Sequence, residues 1–89
     1  MTNSRTELEA AAGRLISAIQ KEWHSEAGLP ESAVSEAVMH SAHDLLQASK
    51  SGSLATVIGS GSVFSYLGNQ WVHEHPRVVP YIAALEAAR

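Results

Sequence analysis

Apolar side chains recur at helical spacing through most of this chain. Leu8, Ala12, Leu15, Ile19 and Trp23 follow one another at steps of four, three, four and four, one face of a 3.6-residue period. Arg14, Ser17 and Lys21 fall off that face and are expected in water. Ser4 with Glu7, and Thr6 with Glu9, have the spacing of a capping box, in which hydroxyl and carboxylate satisfy free backbone N–H groups. Residues 1–3 precede these signals and are expected to be frayed. Gly13 interrupts the helix at a cost of about 1 kcal/mol relative to alanine. It either lets another helix cross closely or is simply tolerated.

Gly28 and Pro30 mark the first break, because glycine suits a helix end and proline a helix start. The second helix is predicted from about Pro30 to Ser49. Its apolar stripe is Val34, Val38, Ala42 and Leu45, widened by Met39 and Leu46. Glu36, His40, His43 and Gln47 form the opposite stripe. Lys50, Ser51 and Gly52 read as its stop, with a cation near the negative end of the helix dipole.

Ser53 to Ile58 reads two ways. Ser53 caps a short helix carrying Leu54, Val57 and Ile58, or LATVI and VFSYL flank GSGS as a β-hairpin at about 54–66. Helix is favoured because its surroundings are helical. Ser62 then caps a helix bearing Phe64, Leu67 and Trp71, with Val63 and Val72 beside them and Gly68 inside. That helix is expected to stop at His75, since the residue before a proline disfavours the α region. Val78 and Val79 read as a short extended link. Pro80 opens a last helix whose apolar side is Tyr81, Ile82, Leu85 and Ala88. The expectation is one all-α domain over residues 1–89, a compact bundle of four to five short helices. An α+β fold with the 54–66 hairpin is the alternative.

Composition adds a question about burial. The chain is 45% hydrophobic, too apolar for a disordered segment. Much of that is alanine, which favours helix but buries little area per residue. A domain of 89 residues buries only roughly 60–65% of the surface its unfolded chain exposes. A partner that covers the remainder is therefore expected: another protein, with a homodimer as the nearest choice. The absence of cysteine excludes disulfides and thiolate zinc sites and suits a cytoplasmic location. The start MTNSRTELEAAAG shows no apolar run behind basic residues, so no secretory signal is expected, and no apolar run reaches the ~20 residues of a membrane span. Net charge is −3 with scattered Lys and Arg, so no basic face for nucleic acid is expected.

Candidate chemistry gathers between Gly59 and Pro76, where Phe64, Tyr66, Trp71, His73 and His75 lie close together. Tyr66, Asn69, Gln70, Trp71, His73 and His75 are the candidate partner-binding residues, because tryptophan and tyrosine are enriched at interface hot spots. Trp71 has a competing reading as core, from its spacing with Phe64 and Leu67. His73 and His75 stand two apart, so on a helix they point in different directions and cannot share a metal. His40 and His43, three apart beside Asp44, are weak metal-ligand candidates, better read as part of a solvated stripe. GSGS lacks the third glycine of a dinucleotide loop and the lysine of a phosphate loop. No catalytic motif is present, and no cofactor is expected. The functional expectation is a non-enzymatic protein–protein interaction or inhibitory module that self-associates. The alternative is a small metal- or ligand-binding protein that uses its histidines.

Overall fold

A computed structural model describes residues 4–88. The frayed start expected at residues 1–3 lies outside them, as do the capping side chains expected at Ser4 and Thr6. The described residues form six α-helices and one 3-10 turn, with no strand. They are α1 (Ser4–Ser25), α2 (Ser32–Ser51), α3 (Leu54–Ile58), α4 (Val63–Leu67), α5 (Asn69–Glu74), the turn Pro76–Val78, and α6 (Val79–Ala88). The all-α expectation holds, and no hairpin forms at 54–66.

Helix α1 is the spine of the fold, packing most extensively on α2 and next on α6. Its predicted face supplies Ala12, Leu15 and Ile19 to the core, with Ala11 beside them. Val38, Met39, Ala42 and Leu45 come from α2, Val63 and Leu67 from α4, Trp71 and Val72 from α5, and Ile82 and Leu85 from α6. Leu15, Ile19, Leu45, Ile82 and Leu85 are fully buried. Removing a side chain of that size from water contributes about 1.5–3 kcal/mol.

The helix stops follow local chemistry. At Gly52 the backbone turns left-handed (φ 77°, ψ 17°), and both Gly52 and Ser53 donate to the Ala48 carbonyl. Alanine there would meet the left-handed penalty of about 1–2 kcal/mol. Ser62 caps α4 reciprocally with Ser65: the Ser62 hydroxyl accepts from the Ser65 N–H at 3.2 Å, and the Ser65 hydroxyl accepts from the Ser62 N–H at 3.0 Å. The Glu86 carboxylate reaches over from α6 to accept from the Val63 N–H.

Several expectations need correction: Ser53 makes no side-chain cap on α3, and Val57 and Tyr81, expected on apolar sides, are exposed. The helix predicted from Ser62 to His75 is two helices, because Gly68 adopts φ 111°, ψ 110°, a conformation only glycine reaches cheaply. That break swings α5 so that Trp71 faces α2. The link at Val78–Val79 is not extended: it belongs to the 3-10 turn and the first residue of α6. Val34 is not core but 55% exposed, and Ser35 beside it is fully buried.

Gly13 proves to be the tolerated kind. A methyl group built on it meets nothing within 4 Å, so no helix crosses closely there. Gly13→Ala is expected to stabilise the protein by about 1 kcal/mol through helix propensity, read as a raised thermal midpoint. A lowered midpoint would mean the glycine is needed for packing.

Candidate functional site

Four residues from three parts of the chain meet between the α1–α2 turn and α5. Glu26 follows α1, in the turn that Gly28 closes with a positive φ of 87°. Ser35 faces inward from the first turn of α2. Trp71 comes from α5, and His75 ends that helix just before Pro76. Trp71 is 4% exposed. Its indole N–H donates to the Ser35 hydroxyl at 3.0 Å, and that hydroxyl spends its own proton on one oxygen of the Glu26 carboxylate. The other Glu26 oxygen lies 2.9 Å from Nε2 of His75. Nδ1 of His75 lies 2.8 Å from the Trp71 carbonyl, which closes the ring. The imidazole also stacks on the indole, with centroids 4.2 Å apart and planes 16° from parallel.

The protonation states follow from this geometry. Both imidazole nitrogens face acceptors, a carboxylate and a carbonyl, so only the doubly protonated ring satisfies both. Its charge then sits over the indole face, where it is further stabilised by cation–π attraction. Burial pushes the His75 pKa down. The Glu26 bond, the Trp71 carbonyl and the negative charges of Glu26 and Glu22 outweigh that and hold it above its ordinary value. For Glu26, burial pushes the carboxyl up, but the bonds from Ser35 and His75 and the imidazolium charge hold it below its ordinary value. The His75 and Glu26 side chains are only 12% and 15% exposed, so water screens this pair less than a surface pair.

The two shifts bound a pH window for folding. His75 contributes fully below its unfolded value of about 6.5, and that contribution is lost as pH rises through its raised native value. Glu26 contributes above its unfolded value and loses that contribution as pH falls through its lowered native value. The thermal midpoint should therefore sag on both sides of mildly acid pH. In Glu26→Gln the alkaline sag should shrink, and an unchanged alkaline limb would show that His75 is not the group responsible.

Trp71 also forms one wall of an apolar groove of about 500 Å3. Val34, Ala37, Val38 and Ser41 line it from α2; Leu67, Gly68, Gln70, Trp71 and Glu74 line it from the α4–α5 side. Its only charged lining residue is Glu74, and Glu31 stands exposed one turn before Val34.

The structure separates the candidate partner-binding residues. Gln70 and Trp71 share the groove. Asn69 and His73 are exposed outside it. Tyr66 lies half-buried in a different, polar pocket with Asp44 and Gln47, where burial and the Asp44 charge push its phenol up. His75 lies behind Trp71 in the ring. His40 and His43 are exposed on α2, His40 within 3.9 Å of Glu36. Among the described residues no three potential ligands converge as a metal site would require. Sequence reasoning missed Glu26 and Ser35. The one local signal was the Trp71–His75 pair, four apart at a helix end that a proline enforces. Comparison with protein-family models, with curated proteins and with solved structures finds no match to this chain.

Proposed function

We propose that the protein is a non-enzymatic interaction module whose α2–α5 groove takes an apolar helix face of another protein, flanked by Lys or Arg. The observation that carries this reading is the groove: an apolar trough with Val34 exposed on its lip and the carboxylate of Glu74 as its charged lining residue. Amphipathic helices are recognised in such grooves through apolar anchors at helical spacing. An acidic lining residue selects for basic flanks and against acidic ones. A nucleophilic role for Ser35 finds no support, since its hydroxyl is fully buried and occupied by Trp71 and Glu26.

The test uses two helical peptides with the same leucine stripe, one with lysine flanks and one with glutamate flanks. The lysine-flanked peptide is expected to bind, shifting the NMR signals of Val34, Ala37 and Leu67, and Val34→Asp should abolish binding. Val34 is exposed, so that change should alter stability by no more than about 0.5 kcal/mol. Equal binding of both peptides, or binding that survives Val34→Asp, would refute the assignment.

Self-association is a second reading, favoured by Leu29 and Val34, which stand 53% and 55% exposed around the start of α2. A copy-to-copy contact there would cover both side chains. Light scattering that gives the monomer mass across a wide concentration range would remove it.

A further inference from the structure

We propose that Glu26, Ser35, Trp71 and His75 form a proton-operated latch that ties α5 to the α1–α2 turn, closed while His75 carries two ring protons and opened by the loss of one. The ring of hydrogen bonds has one consistent assignment of donors and acceptors: the indole N–H donates to serine, the serine O–H to one carboxylate oxygen, one imidazolium N–H to the other carboxylate oxygen, and the second imidazolium N–H to the Trp71 carbonyl. Removing one proton turns one of the last two contacts into lone pair against lone pair. Whichever nitrogen keeps its proton, the neutral ring must give up either the carboxylate or the carbonyl.

The Trp71 carbonyl is one of the acceptors that the end of α5 leaves without a helical partner, because the His75 N–H bonds to Val72 instead. The His75 side chain fills that vacancy, so losing it loosens the helix end as well as the turn. Trp71 is also the groove wall. Opening the latch therefore changes the groove, and the inference stands whatever the groove holds.

The charged groups that face His75 are both acidic: Glu26 in direct contact and Glu22 from α1. From α2, the neutral Ser35 joins the ring through its bond to Glu26. His73, Glu74 and Arg77, its neighbours in sequence, are exposed. The surroundings thus favour the closed, protonated state, and loss of the His75 proton opens the latch on the alkaline side of ordinary histidine.

Trp71 fluorescence reads the latch directly, because a stacked imidazolium quenches indole emission. In a Trp23→Phe background, emission should stay low in mild acid and rise through one transition with a midpoint above about 6.5. Glu26→Gln should weaken the proton affinity by about threefold or more, moving the midpoint down. His75→Gln, which keeps a donor toward Glu26, should abolish the transition. In the unaltered protein, nitrogen NMR should show both His75 ring nitrogens protonated at pH 6. This measurement decides the matter even if a variant folds poorly. A single neutral tautomer at pH 6, a midpoint that Glu26→Gln leaves in place, or a transition that persists in His75→Gln would each overturn the latch.

Discussion

Replacing Trp71 with alanine is expected to remove most of the protein's stability. The side chain is 4% exposed, packed between α2 and α5, stacked on His75 and hydrogen-bonded to Ser35. Truncating a buried tryptophan costs about 3–5 kcal/mol. A domain of this size sits near the low end of the ~5–15 kcal/mol range of native stabilities. Far-ultraviolet circular dichroism should show most of the helix signal lost, or a thermal midpoint lowered by more than about 12 °C. Trp71→Phe refills most of the volume but strands the Ser35 hydroxyl's acceptor side, so its cost should be clearly smaller. If Trp71→Ala keeps the fold with a midpoint within a few degrees of the parent, the indole is not a structural anchor. A role confined to partner contact would then be the better account.

Ser35→Ala is expected to cost about 2 kcal/mol or more, a large effect for so small a change. Two terms oppose it and one favours it. The buried Trp71 indole N–H loses its only acceptor, at about 1–3 kcal/mol. Glu26 loses a charge-assisted hydrogen bond, typically about 1.5–3 kcal/mol. Alanine is the better helix former and returns roughly 0.5 kcal/mol. Ser49 supplies the control. It is equally buried, but its hydroxyl only bonds back to the Leu45 carbonyl at 2.8 Å. Removing it strands no buried donor, so Ser49→Ala should change stability by about 0.5 kcal/mol or less in either direction. Denaturant midpoints of the two variants give the comparison. Equal effects would mean that the polar ring contributes nothing beyond ordinary burial.

The long helices were legible because period and punctuation agree there. Leu8 through Ile19 keep one face, Gly28 and Pro30 break the chain, and Gly52 stops α2, each through backbone physics that acts within a few residues. The break at Gly68 was hidden because Phe64, Leu67 and Trp71 continue a helical stripe across it. Hydropathy does not register a change of helix direction when the apolar side chains keep their spacing. Val34 and Ser35 show the converse failure. Apolarity placed position 34 in the core, but Ser35 is the residue that completes the contacts of both Trp71 and Glu26. The ring itself joins positions 26, 35, 71 and 75. No spacing rule links them, because what joins them is the tertiary path of the chain.

Leu54 to Val78 contains three helices of five or six residues and one 3-10 turn. In water, isolated helices shorter than about 12–15 residues are marginal, so these segments persist only while docked on α1, α2 and α6. Their amides should therefore exchange with solvent as one cooperative unit, at a lower opening free energy than the α1–α2 pair. The segment that carries Trp71 and one side of the groove would then be the first to detach when the protein breathes. Proteases that sample that opening should cut between residues 54 and 78 before they cut either long helix.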